Sequence, residues 1–266
     1  MKKLMLFAVS FLFAAVGAHA QQPSTGAADA GVPVEEYVPK VIIEGKWGTG
    51  PGEFGYDGFN PVDFSPNSAV FGPDDLIHPR SLSVDSKGYI YILDVANNKI
   101  QKFSKDGGHL ADLKVDSWSG YDLDPETGWS YRVKGINIVI DSKDNLFYYL
   151  RRSKDGKESG EVWQFRKDKL VKKTVVPVTK ALSRGVGLDL DREDDSLWIP
   201  DVDKKQHGKH YQFRTGKILD TEEVRTQKAA FRTTEAGKKA AARPRPKYYL
   251  DIETSSNGIR IIEKLN

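Results

Sequence analysis

Along much of the chain, apolar and polar positions alternate in short runs broken by Asp, Gly and Asn turns, the period-two pattern of half-buried strands. The pattern also repeats at a larger scale. Residues 84–103, "VDSKGYIYILDVANNKIQKF", are echoed by "IDSKDNLFYYL" from Ile140 and "LDREDDSLWIPD" from Leu190. Aligning the first Asp of each unit puts Asp85, Asp141 and Asp191 in register. In every unit an alternating run reaches that Asp (Leu82 and Val84, Ile138 and Ile140, Leu188 and Leu190) and a polar turn follows. A second apolar run comes next: "YIYIL", "LFYYL", "LWIP". A third run ends on an aromatic, Phe103, Phe165 or Phe213, and a fourth is visible in "HLADLKV" and "KLVKKTVV". Each unit therefore predicts a four-stranded antiparallel meander, and the chain predicts an all-β repeat protein.

A fourth, partial unit closes the sequence. "YYLDIETSSNGIRIIEKL" matches "YILDVANNKIQKF", with Asp251 standing where Asp94 and Asp201 stand, but it has no outermost strand of its own. "KVIIEGKWG", Lys40 to Gly48, is an isolated strand of that outermost type. Pairing it with the carboxyl-terminal unit would complete the last sheet from the two ends of the chain and protect edges that otherwise template aggregation.

"GKWGTGPGEF" followed by "HPRSLSVDSKGYIYILDVANNKIQKFSKDG" resembles the repeat of NHL-type β-propellers, closely over Lys46 to Gly108 and more loosely in the later units. The resemblance implies a β-propeller of four-stranded antiparallel blades, with four readable repeats and a blade count of four to six. The chain departs from the pattern at Arg80, where the family has Gly, and at Leu150, which holds the place of the second Asp in unit two. Unit spacing also exceeds the roughly 40–45 residues usual for a propeller repeat. The recurring Asp85, Asp141, Asp191, Asp94, Asp201 and Asp251 read as turn builders, because an Asp carboxylate accepts from backbone N–H groups two residues on.

The first twenty residues, "MKKLMLFAVSFLFAAVGAHA", place two lysines before an apolar run and end in a small-x-small tripeptide, the form of a secretory signal cleaved after Ala20. Residues 1–20 are thus expected to be a signal peptide, 21–36 a flexible leader and 37–266 the propeller domain, periplasmic or secreted. No later segment is apolar over the ~20 residues that span a bilayer. The chain has no cysteine, so disulfides, thiolate nucleophiles and thiolate zinc sites are excluded. A formal net charge of +3 is too small to imply nucleic acid.

Two stretches depart from the strand pattern. Residues 49–78 contain no Lys or Arg, five acids, and aromatics including Phe54, Tyr56 and Phe59. This loop is expected either as a packed flap over one propeller face or as a connection tucked under the first blade. A shorter insertion from Asp116 carries Trp118, Tyr121 and Trp129. Phe54, Tyr56, Phe59, Trp118 and Trp129 are the candidate contact aromatics. Lys204 to Lys247 is rich in Lys and Arg and lacks strand alternation over "QKAAFRTTEAGKKAAARPRPK", which reads as a solvated loop or short helix. Such a run is most simply a solvated face; alternatively it docks an anionic surface.

Candidate chemistry is sparse. Seven residues before each first Asp lie His78, Lys134 and Arg184. The resemblance implies that the strand they precede lines the central channel, so these residues, with Arg80, form a candidate rim for an anionic ligand. Phosphate-cradling and nucleophile-elbow motifs are absent. "DLDREDD" and "DLDPETG" lack the Gly and Glu of a calcium loop. The expected function is a non-catalytic binding or scaffold propeller at the cell envelope, contacting a protein or anionic component, with no cofactor and no bound metal. The alternative is a metal-dependent propeller lyase or lactonase-type hydrolase, which the resemblance also admits, with zinc or calcium in the channel.

Overall fold

The computed structural model describes residues 38–56, 79, 81–117, 121–124, 128–131, 133–154, 157–176, 187–199, 209–242, 248–255 and 257–265, all within the unit Val38–Asn266. Three four-stranded antiparallel meanders follow one another along the chain. The first blade is β2 (Ser81–Val84), β3 (Ile90–Asp94), β4 (Lys99–Phe103) and β5 (His109–Lys114). After a two-stranded hairpin, β6 (Tyr121–Asp124) and β7 (Gly128–Tyr131), the second blade is β8 (Val133–Ile140), β9 (Asn145–Lys154), β10 (Lys157–Arg166) and β11 (Lys169–Val176). The third is β12 (Asp189–Asp191), β13 (Ser196–Ile199), β14 (Lys209–Gln212) and β15 (Lys217–Asp220). Two helices follow, α1 (Thr221–Thr233) and α2 (Glu235–Ala241), and then the strands β16 (Tyr248–Ser255) and β17 (Gly258–Leu265). These are the propeller-type blades that the repeat predicts, in all three complete units.

The chain ends meet as expected. β1 (Lys40–Lys46) pairs antiparallel with β17, and with β16 they make a three-stranded closing sheet in the order β1-β17-β16. It has one strand fewer than the other blades among the described residues.

Alternation along each strand aims one set of side chains at the preceding sheet and the other at the next. Ile90, Ile92 and Phe103 of the first blade meet Ile43, Ile259 and Ile261 of the closing sheet. Tyr91, Leu93 and Ile100 on the opposite face meet Leu146, Tyr148, Leu150, Trp163 and Phe165 of the second blade. Phe147, Tyr149 and Val162 then meet Leu197, Ile199 and Tyr211 of the third. Burial between successive sheets therefore supplies the cohesion that a chain without disulfides requires. No apolar cluster joins the third blade to the closing sheet among the described residues. The closing sheet's other face carries ion pairs instead, Lys264 with Asp251 and Glu253, and Arg260 with Glu44.

Two structural details sharpen the sequence reading. The basic stretch expected as loop or short helix contains two helices, the first opened by a capping box in which Asp220 and Glu223 exchange hydrogen bonds with each other's backbone N–H. The insertion after Asp116 contains the β6–β7 hairpin. Among the described residues no helix is long and apolar enough to cross a membrane.

Candidate functional site

The inner strands of the three blades are stitched together at two levels. At the first, the Ser81 hydroxyl accepts from the Ile138 N–H at 3.0 Å and donates to the Ile138 carbonyl at 3.4 Å. At the equivalent position of the next unit, the Asn137 side chain accepts from the Leu188 N–H and donates to the Leu188 carbonyl, both at 2.8 Å. The third unit has Gly187 there, and a Cβ on it would lie 2.5 Å from Asn137 Oδ1. Gly187 therefore leaves room for the stitch and ends the series. At the second level, the Ser86 N–H and hydroxyl donate to the Asp144 carboxylate at 2.8 and 2.7 Å, and Ser142 makes the same pair of bonds to Asp195. Asp144 and Asp195 adopt positive φ, 59° and 58°, which presents each carboxylate to the preceding blade. The two Ser86 bonds hold the Asp144 carboxyl below its ordinary range.

Of the predicted rim, only the backbone of Lys134 falls within the described residues. Lys134 lies in β8 with its backbone opposite Arg151 of β9. His78, Arg80 and Arg184 lie outside the described residues, and Lys134 is described only through its backbone. Ser81, Asn137 and Gly187 each stand three positions after His78, Lys134 and Arg184. Sequence reading missed the cations beside Lys134. Arg151, almost wholly buried, pairs with Glu158, while Arg152 pairs with Asp116 at 2.8 Å and Glu161 at 2.7 Å. Glu161 also accepts from the Trp163 indole at 2.8 Å, so this network fixes the second blade against the first. Burial pushes the Tyr149 phenol up to about 12, which the neighbouring Arg151 partly offsets and Glu158 reinforces. The signal for these residues was present in "YYLRRSK", where two arginines end an apolar strand.

The candidate contact aromatics separate. Phe54 is 0% exposed and stacks on Phe103 with centroids 5.8 Å apart, inside the cluster joining the first blade to the closing sheet. Its assignment as a contact residue is therefore corrected: the ring is core, packed among Ile90, Ile92 and Phe103 of the first blade and Ile259 and Ile261 of the closing sheet. Tyr56, half-buried, packs on Trp47 at 5.2 Å. Trp129 falls in β7, with its side chain outside the description, and Phe59 and Trp118 lie outside the described residues.

A buried polar knot holds the 47–56 segment down. Asp94, at 0% exposure, accepts from the Gly55 N–H, Asn97 Nδ2 and Gln101 Nε2, each at 2.9 Å. Gln101 also donates to the Glu53 carbonyl, Asn97 to that of Gly48, and Lys99 to that of Gly50. Burial pushes the Asp94 carboxyl up, and the three donors with Lys99 pull it back. Asp85 and Asp141 do build turns, each accepting from N–H groups two and four residues on. Asp94 instead anchors a distant loop, and Asp251 pairs with Lys264.

Among the described residues no cluster of three or more His, Asp or Glu can hold an ion. His109 is paired with Asp112, and His210 lies against Thr221.

No family model matches the sequence, and no curated protein matches it. Among solved structures the chain is similar to a Bacteroides caccae protein of unknown function, with 9% identity, a TM-score of 0.34, and coverage of 54% of this chain and 44% of that one. It is similar to a streptogramin B lyase at 19% identity and a TM-score of 0.30, covering 57% and 42%. The virginiamycin B lyase of Staphylococcus aureus matches at 15% identity and a TM-score of 0.26, covering 53% and 54%. The chain thus spans about half the length of the solved chains it matches.

Proposed function

We propose that the chain is an exported, non-catalytic binding scaffold of the NHL propeller type, which takes an anionic envelope component where His78, Arg80, Lys134 and Arg184 enter the inner strands. In this reading residues 1–20 are removed after Ala20, 21–36 are a leader, and the domain begins at residue 37. The observation that supports it is the pair of equivalent stitches, Ser81 to Ile138 and Asn137 to Leu188. They hold three successive inner strands at one level, which supports reading the residues three positions upstream in each unit as one shared rim. Cations gathered there would raise the local concentration of an anion. The described buried charges support a scaffold role, since Asp94, Lys99 and Arg151 are all engaged in holding loops and strands together.

Titration of the purified chain with dextran sulfate, followed by calorimetry, tests the rim. Lys134→Ala and Arg184→Ala are each expected to weaken binding by about 3- to 10-fold, the scale of one screened surface charge, at an unchanged unfolding midpoint. Equal affinities in all three proteins would remove the rim. One zinc or calcium per chain by elemental analysis, lost in His78→Ala, would replace the scaffold by a metal enzyme.

A further inference from the structure

The three apolar junctions between sheets leave one face of the third blade without a neighbouring sheet in any of them. Leu197 and Ile199 point at the second blade, so Trp198 between them takes the opposite face. Its cross-strand partner Gln212 shares that face and bonds to Gln227 of α1. His210 and its partner Leu219 alternate onto the same side, and His210 meets Thr221 of α1. The side that α1 meets thus carries Trp198 and Leu219, both buried.

What holds α1 there is charge. No α1 residue is fully buried; Val224, Lys228 and Phe231 are partly buried. Lys228 Nζ lies 2.7 Å from the Asp191 carboxylate, and the Arg232 guanidinium forks onto Glu193 at 2.7 and 2.8 Å. Asp191 is the third unit's turn Asp, whose counterparts Asp85 and Asp141 bond backbone N–H groups. Here the same position has gained a lysine from outside the sheet. A helix of 13 residues is of the length that is marginal by itself in water, about 12–15 residues, so α1 persists only while docked.

We propose that α1 is an ionic latch: it closes over the outward face of the third blade through Lys228–Asp191 and Arg232–Glu193, and it opens when those pairs are screened. The junctions between sheets carry ion pairs too, such as Lys102–Asp168 and Arg152–Asp116, but beside large buried apolar clusters, whereas no residue of α1 is fully buried. α1 is therefore the element that ionic strength, or a polyanion drawing off Lys228 and Arg232, releases first. The latch is independent of the rim proposed above, and its test uses no ligand.

Hydrogen exchange of the full chain reads the latch directly. Raising sodium chloride from about 0.01 M to about 1 M shortens the Debye length from about 30 Å to about 3 Å. Peptides covering Thr221–Thr233 should then lose about tenfold or more of their protection, while those from β9 and β10 keep theirs. In a Lys228→Gln, Arg232→Gln double variant, α1 should exchange freely even at low salt, with β9 and β10 unchanged. α1 amides exchanging equally at both salts, exchanging only together with β9 and β10, or staying protected in the double variant would each overturn the latch.

Discussion

At the scale of single residues, the same repeat position carries Asp94 in one unit and Leu150 in another, and the neighbouring structure explains the exchange. Asp94, Lys99 and Gln101 face the closing sheet, where residues 47–56 insert their carbonyls and the Gly55 N–H. Their counterparts Leu150, Glu161 and Trp163 face the first blade directly. There Leu150 and Trp163 pack apolar, with Trp163 set edge-on to Tyr148 at 5.9 Å. Removing the Asp94 carboxylate strips the buried Gly55 N–H of its acceptor and takes one of two acceptors from each of Asn97 Nδ2 and Gln101 Nε2. Asp94→Ala is therefore expected to cost about 3 kcal/mol in urea unfolding, against about 1 kcal/mol for Asp85→Ala, whose turn faces water. Equal costs would mean that the knot contributes no more than a turn. The second-level stitches add a pH dependence. Asp144 is held below its ordinary value of 3.8 by Ser86, so its contribution is complete above that value and is lost as pH falls through the lowered one. Asp144→Asn keeps a side chain that tolerates positive φ but removes the charge. Its unfolding midpoint should lie below that of the parent protein at neutral pH by an amount worth up to about 1 kcal/mol, and the gap should close in acid. A constant gap down to pH 2 would mean that the carboxylate charge is not involved.

At the scale of elements, what was legible in the sequence was what alternation and turn chemistry dictate. The four strands of each unit follow from runs such as "YIYIL" and "NKIQKF", and the pairing of β1 with β17 from one stray strand and one incomplete unit. Features that depend on distant partners were not legible. Nothing in "PGEF" says that Phe54 inserts between two sheets, because its burial is set by Phe103 and the closing sheet. α1 was legible in principle through the Asp220-x-x-Glu223 capping signal, but the lysines and alanines around it suit a solvated loop equally well. β6 and β7 were hidden by the brevity of their runs around "PETG". Three of the four outer strands share a device that sequence does not reveal. Register slips at Leu110 of β5, Val171 of β11 and Ile42 of β1, so each of these carries a bulge, while β15 pairs regularly with β14. A bulge twists an exposed edge away from regular pairing, and with Lys172 and Lys173 on β11 it discourages edge-to-edge association.

At the scale of the whole domain, stability is a chain of sheet-to-sheet junctions, and the weakest covalent economy lies where the two chain ends meet. The closing sheet gains its third strand only if β1 finds β17, more than two hundred residues away, and the sheet forms the apolar junction against which the first blade and Phe54 are packed. Gly258 controls that meeting. It opens β17 at φ +147°, pairs with both Ser255 and Lys46, and brings its Cα so close to the Gly45 carbonyl that an added Cβ would sit 2.0 Å from the oxygen. Such an overlap cannot be relieved by turning a flexible side chain, because the obstacle is backbone. Gly258→Ala should therefore push β1 off β17 and cost about 3 kcal/mol or more, combining an unfavourable φ with lost pairing. Lys40→Ala, at the exposed start of the same strand, should stay within about 0.5 kcal/mol of the parent protein. Hydrogen exchange should localise the damage, with amides of Lys40–Lys46 losing protection before those of β9 and β10 if the closing sheet is a separable junction. Gly258→Ala matching Lys40→Ala in urea, with β1 still protected, would show that the chain ends are not what holds the first blade in place.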